Sequence, residues 1–316
     1  MTSNSSAFNT HTKGKLLLTG EYVVLDGATA LAIPAKLGQR MEVRPDKQIP
    51  AGQLNWTSYD HQGKAWFEAS FLPSSLNIIN TTDTAVAERL IQLFQSIQKQ
   101  RPTAWQALPG LNLRMDLEFS RHWGLGTSST LLAALAQWQN VDPYQLLWDS
   151  FGGSAYDIAC AIADGPILYR LADATPHSSP TPFKPSFLDQ LYLVYSGKKQ
   201  NSRDGIRHYR ERFSATDPAP LIQKIDSLTQ AILNSKRLQD FEQSIKEHET
   251  LLSEALSLRP VQEQYFSDYW GQIKSLGAWG GDFILVTSNR EEAATRKYFQ
   301  RKGLTEIFPF SEWLLI

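Results

Sequence analysis

The stretch LNLRMDLEFSRHWGLGTSSTLLAALAQWQ (Leu111–Gln139) decides how the rest of the chain is read. Its opening alternates, with Leu111, Leu113, Met115, Leu117 and Phe119 on one side, which is the spacing of a half-buried strand. Its end, from Thr127 onward, reads as a helix. Between them stand two glycines and four hydroxyl residues in a row, Thr127–Thr130. A glycine-rich turn that opens a helix turns free backbone N–H groups and the positive end of the helix dipole toward one point, where an anion is held. Small residues let a phosphate come close, and hydroxyls add hydrogen bonds or ligate Mg²⁺. Ser and Thr are also ordinary helix N-caps, so this stretch alone leaves two readings open. No GxxxxGK[ST] occurs, and GxGxxG is incomplete because Ser129 occupies the third glycine position.

Upstream, KLLLTGEYVVLDG (Lys15–Gly27) predicts strand, tight turn and strand, with Gly20 and Asp26-Gly27 as turn residues. ALAIPAKLGQRMEV continues extended past Pro34. Residues 53–71 predict a hairpin turning at Asp60–Gly63. Val86, Leu90, Leu93, Phe94 and Ile97 share one helical face over Thr84–Gln100, with Asp83 as cap. The polar start, MTSNSSAFNTHTKGK, is expected to be a short frayed lead-in. It lacks the apolar core of a signal peptide, so a cytoplasmic location is expected.

Downstream, DPYQLLWDSFGGSAYDIACAIADGPILYR predicts helix, glycine turn, helix and a strand at Ile167–Arg170. Residues 172–186 carry four prolines and three serines, the best domain boundary on composition. Beyond it come a short strand at Leu191–Gly197, helices near 219–237 and 239–258, the loop KSLGAWGGD, a strand at Phe283–Thr287, and a helix at Glu291–Arg301. Strands and helices mix without strict alternation, which favours α+β. At 316 residues, two domains are expected.

A formal net charge of −1 argues against nucleic acid or an acidic membrane as partner, since both select a basic excess. No apolar run approaches the ~18 residues of a membrane span. A single cysteine, Cys160, excludes an internal disulfide and a Cys-rich metal site.

Two further segments carry candidate chemistry. Asp157, in SAYDIA, lies in a small-residue turn beside Gly152 and Gly153. It is either a helix cap or a general base beside a bound hydroxyl. Lys15 and Glu21 bracket an apolar strand; beside a carboxylate and a phosphate, such a lysine supplies charge compensation.

In this order, the segments resemble the GHMP kinase superfamily, which includes galactokinase, homoserine, mevalonate and phosphomevalonate kinases. GKLLLTGEYVVLDGATALA is similar to its first motif, GLGTSST to its phosphate loop, GGSAYDIA to the segment with its catalytic aspartate, and SLGAWGGDFILV to its C-terminal glycine motif. GEYVVLDG and YDIA look most like the mevalonate and phosphomevalonate kinase branch and a bacterial GYDIA group. The resemblance spans Lys15 to Val286.

The resemblance implies a two-domain α+β fold: an N-terminal ATP-binding domain (1–175) like the second domain of ribosomal protein S5, and a ferredoxin-like C-terminal domain (186–316). It implies a kinase transferring the γ-phosphate of ATP, with Mg²⁺, to a hydroxyl or phosphate of a mevalonate-type acid, in isoprenoid biosynthesis. Gly124, Leu125, Gly126, Thr127, Ser128 and Ser129 would hold the nucleotide phosphates and Ser128 the metal. Asp157 would be the base and Lys15 its partner. Glu21, Lys198 and Ser202 would line the acceptor pocket, and Gly277, Gly280 and Gly281 would form the C-terminal loop. Partners are then small molecules, with neither nucleic acid nor membrane.

Ala155 stands where the family has glycine, so the turn must accept a Cβ. Asp149 is the nearest carboxylate to the family's second metal-ligand position. Lys198, Lys199, Arg203 and Arg207 form a basic cluster, either a grip for an acidic acceptor or a solvated loop. Two other readings share the fold: a diphosphomevalonate-type decarboxylase, whose loop lacks the GLG opening, and a non-catalytic nucleotide or ligand sensor.

Overall fold

The computed structural model describes residues 7–198, 202–214, 216–277, 279 and 281–316. The chain packs as two compact units. One joins the chain up to Gly14 with Leu37–Arg121 and Gly126–Ile162; the other joins Lys15–Lys36, His122–Leu125 and Ala163–Ile316.

The first unit is built on the start of β1 (Phe8–Leu17), the later part of β2 (Ala30–Pro45), β3 (Leu54–Tyr59), β4 (Ala65–Leu72), β5 (Asn77–Thr81), α1 (Thr84–Gln100), β6 (Leu111–Leu117), α2 (Thr127–Gln139), α3 (Pro143–Ser150) and α4 (Tyr156–Ile162). Its strands run in the order β5-β4-β3-β6-β2, and β1 pairs with β2. The β3–β6 pair is parallel, with Leu54 opposite Leu111, and β2–β6 is antiparallel, with Met41 opposite Met115. Alternation sends Leu113 and Met115 into a core with Trp56, Phe67, Phe71, Leu93, Phe94, Leu132 and Leu135. Asp83 caps α1 through its carboxylate, which accepts from the Val86 amide at 3.2 Å. The β3–β4 hairpin turns where expected: the Asp60 carboxylate accepts from the amides of Gln62 and Lys64.

The second unit contains β7 (Ile167–Ala172), β8 (Thr175–Pro180), β9 (Leu191–Tyr195), α5 (Ser202–Arg212), α6 (Ala219–Asn234), α7 (Leu238–Leu256), α8 (Val261–Tyr265), β10 (Ile273–Ser275), β11 (Phe283–Thr287), α9 (Glu292–Arg301), β12 (Ile307–Pro309) and α10 (Phe310–Trp313). Ala30–Ala32 of β2 pair with β7, and β7 pairs with β8. The other sheet is antiparallel, ordered β10-β11-β9-β12. Counted along the chain, that is second, third, first and fourth, the ferredoxin-like arrangement of a βαββαβ unit. Every residue of β11 is buried, as a continuous apolar run requires in an interior strand.

Three expectations from the sequence are corrected, and the proline-rich stretch gains an element that the sequence left unread. The supposed lead-in is strand from Phe8 onward; its threonines have high strand propensity, and Thr12 is fully buried. Val23–Asp26 is a 3-10 turn, not a strand. The proline-rich stretch is in part an edge strand, because Pro176 and Pro180 are tolerated where no ladder donor is needed. Ser202–Arg212 is helical where only a charged loop was read.

Candidate active site

The loop between β6 and α2 is shaped by two glycines with left-handed backbone, Gly124 at φ +65° and Gly126 at φ +93°. Gly126 is the N-cap residue of α2, so the amides of Thr127, Ser128 and Ser129 have no acceptor within the helix. The four hydroxyl residues divide into two pairs. Ser129 and Thr130 are buried and bond back to the Gly126 carbonyl at 2.9 and 3.1 Å. Thr127 is half-buried and Ser128 exposed. The first turn of α2 thus leaves three amides without an acceptor in the helix and exposes the hydroxyl residue at its second position, Ser128.

A neutral network holds that turn from below. Thr130 Oγ1 donates to Gln39 Oε1 at 2.8 Å, and Thr12 Oγ1 donates to the Thr130 carbonyl at 2.8 Å.

Asp157 lies in the first turn of α4, half-buried, with its Oδ1 accepting from the Ile158 amide at 3.0 Å. Within the first unit α4 packs against α2, so the unit brings together the helix that carries Asp157 and the helix that opens at the hydroxyl loop. The preceding turn uses Gly152, Gly153 and Ala155 at φ +69°, +107° and +65°. Ala155, 1% exposed, adopts the glycine conformation despite its Cβ, at a strain of roughly 1–2 kcal/mol. Asp149 is committed elsewhere: it accepts from Ser96 Oγ at 2.6 Å and Gln145 Nε2 at 2.7 Å.

In the second unit, the Lys15 amide donates to the Leu125 carbonyl at 3.0 Å, which ties the first motif to the start of the glycine loop. Trp123, just before the loop, is set among Tyr195, Phe283, Phe308 and Trp313. A Cβ on Gly124 would stand 2.2 Å from Asp282 Oδ2, so a carboxylate occupies the place of any side chain there. In the C-terminal loop, Gly277 has φ +67° and Asp282 φ +49°. Gly281 immediately precedes that aspartate, and Gly280 lies outside the described residues. Trp279 is 6% exposed, its amide donating to Tyr22 Oη at 3.0 Å.

Glu21, expected beside an acceptor, is turned inward. It is 1% exposed and accepts from Lys274 Nζ at 2.5 Å. Glu249 Oε1 lies 3.5 Å from the same ammonium and accepts from Trp279 Nε1 at 3.2 Å. His248 Nε2 accepts from the Gly20 amide at 3.2 Å. Loss of hydration pushes Glu21 up to about 7, against the opposing pull of Lys274. Burial likewise raises Glu249 and drives His248 well below its ordinary value.

The basic cluster is split. Lys198 is exposed, with its ammonium over the Tyr265 ring at 5.0 Å and its carbonyl accepting from the Asp282 amide at 2.7 Å. Arg207 pairs with Asp204. Ser202 begins α5, and Lys199 lies outside the described residues.

Sequence reasoning missed Trp123, Asp282 and Lys274. The first two flank recognised glycine motifs, a usable signal; a lone lysine in IKS carries none. Among the described residues, no group of three His, Cys, Asp or Glu is gathered to hold a metal. None of their helices is long and apolar enough to cross a membrane.

No family model matches the sequence, and no curated protein matches it. Solved structures match over nearly the whole chain. A Lin0012 protein from Listeria innocua superposes with a TM-score of 0.71 at 14% identity, over 96% of this chain and 97% of that one. Mevalonate kinase from Methanococcus jannaschii gives 0.70 at 15%, over 96% and 98%. Streptococcus pneumoniae phosphomevalonate kinase, in complex with phosphomevalonate and AMPPNP, gives 0.68 at 16%, over 94% and 97%. At such identities the likeness is one of fold: this chain has the α+β fold of the GHMP kinases.

Proposed function

We propose that the protein is an ATP-dependent small-molecule kinase that transfers the γ-phosphoryl group to a hydroxyl or phosphate of a mevalonate-type acid. The observation that carries this reading is the first turn of α2, opened by two left-handed glycines, with Thr127 half-buried and Ser128 exposed. The amides of Gly124–Ser129 bind the nucleotide phosphates. Asp157 accepts the proton of the attacking hydroxyl, which is a poor nucleophile at neutral pH while protonated. Lys15 offsets the negative charge that develops on that oxygen. Mg²⁺, when bound with the nucleotide, neutralises phosphate charge. Ser128 suits it as a single protein oxygen, since Mg²⁺ keeps water and phosphate oxygens as its other ligands. Lys198 and the start of α5 at Ser202 grip the acid group of the acceptor, and the C-terminal loop with Gly277 and Gly281 serves the same site.

ADP release with mevalonate, phosphomevalonate, galactose and homoserine side by side tests the proposal. Turnover is expected with one of the first two. Carbon dioxide release from diphosphomevalonate would replace it with a decarboxylase, and ATP binding without turnover on any acceptor would replace it with a sensor.

A further inference from the structure

Behind the Gly20–Tyr22 turn, the second unit buries four ionisable side chains together. Lys274 and His248 are 0% exposed, Glu21 1% and Glu249 2%. They come from three elements: the turn, α7 and β10. Their neighbours already have partners. Asp26 pairs with Arg210 and accepts from Tyr209, Asp226 accepts from the Thr29 amide, and Glu242 accepts from Thr287 Oγ1. The four must therefore balance among themselves.

They do not balance if all are in their usual forms. His248 Nε2 accepts the Gly20 amide, and an amide can only donate, so the imidazole is neutral with its proton on Nδ1. One ammonium then faces two carboxylates. A net negative charge buried away from solvent is costly, and one retained proton removes it. Glu21 has the place for that proton. Its Oε1 is taken by Lys274, while Oε2 is buried with no hydrogen-bond partner and faces the neutral His248 Nε2 at 3.5 Å.

The cluster also holds main chain on both sides. His248 binds the Gly20 amide, Lys274 donates to the Ser275 carbonyl at 2.9 Å, Glu249 binds the Trp279 indole, and Tyr22 Oη accepts the Trp279 amide. We propose that Lys274, Glu249 and His248 are positioning residues that act through Glu21 and Trp279. They hold the Gly20–Tyr22 turn and the loop at Trp279 as one block, which loosens when the cluster gives up its shared proton. The phosphotransfer reading is needed only to give those two segments a use in catalysis; the coupling between them stands without it.

The test is ¹⁹F NMR of full-length protein carrying 5-fluorotryptophan, with the Trp279 resonance identified by its loss in Trp279→Phe. The expected result is a pH titration of that resonance with a midpoint near 7. It should be absent between pH 5.5 and 8.5 in Glu21→Gln, whose amide imitates the protonated acid. Glu249→Gln, which removes one negative charge, should shift the midpoint down by about one pH unit. A Trp279 resonance that ignores pH in the folded wild type, or titrates identically in Glu21→Gln, overturns the proposal. The kcat profile of an active preparation should lose the same inflection in Glu21→Gln. Absence of turnover on every acceptor defeats the kinase reading alone, because the NMR titration still decides the coupling.

Discussion

Under the first turn of α2, Thr12, Gln39 and Thr130 meet through hydroxyl and amide groups alone. Behind the Gly20–Tyr22 turn, Glu21, His248, Glu249 and Lys274 meet as ionisable groups with almost no exposure. Both assemblies hold a segment that carries a recognised motif. The neutral one satisfies nearly every polar atom locally and has no reason to respond to pH. The charged one leaves Glu21 Oε2, Glu249 Oε2 and His248 Nδ1 without hydrogen-bond partners, and it tolerates the desolvation of four ionisable groups. Neutral anchoring yields rigidity at modest cost, whereas ionic anchoring yields a structure whose strength depends on one proton.

The largest effect is expected from Lys274→Met. It leaves the buried Glu21 and Glu249 without their ammonium counter-charge and should lower stability by about 3–5 kcal/mol in urea unfolding. A loss under about 1 kcal/mol would erase the distinction between the two assemblies.

The pH response comes next. Glu21 is raised from 4.5 to about 7 in the folded state, so the folded protein binds the proton more tightly than the unfolded chain. Its contribution is fully present below about pH 4.5 and is lost as pH rises through about 7, with a total change on the order of 3 kcal/mol. Glu249, also raised, acts in the same direction. His248, depressed, acts oppositely: its contribution is lost as pH falls below about 6.5. The stability of wild type relative to Glu21→Gln should therefore decline between pH 4.5 and 7. A flat difference would contradict the buried shared proton.

Thr130→Val should cost about 1–2 kcal/mol, since it leaves Gln39 Oε1 and the Gly126 carbonyl short of a donor. That loss should be the same at pH 5.5 and 8. A pH-dependent loss would mean that the neutral network is coupled to a titrating group.

The sequence exposed the two assemblies unequally. Alternation in Leu111–Phe119 and the 3.6-residue spacing of Val86–Ile97 predicted β6 and α1 because burial on one face imposes those periods. GLGTSST marked the opening of α2, and the glycine pair before SAYDIA marked the turn into α4. Which of the four hydroxyls faces outward was not legible, because it depends on the carbonyl of Gly126 and on Gln39, 91 positions from Thr130. The ionic cluster was less legible still. Glu21 and Lys274 are 253 positions apart, and nothing local to IKS distinguishes a buried lysine from a solvated one. Thr175–Pro180 was obscured for the opposite reason: its prolines stood out only as a boundary signal, although an edge strand accepts them.

The central claim is that Asp157 takes a proton from an alcohol while the glycine loop binds nucleotide phosphates. The most direct measurement is γ-phosphoryl transfer by Asp157→Asn at saturating ATP and Mg²⁺, with the preferred acceptor, compared with wild type. A loss of at least ~100-fold in kcat with nucleotide affinity retained is the predicted result; a kcat within about twofold of wild type would contradict the assignment.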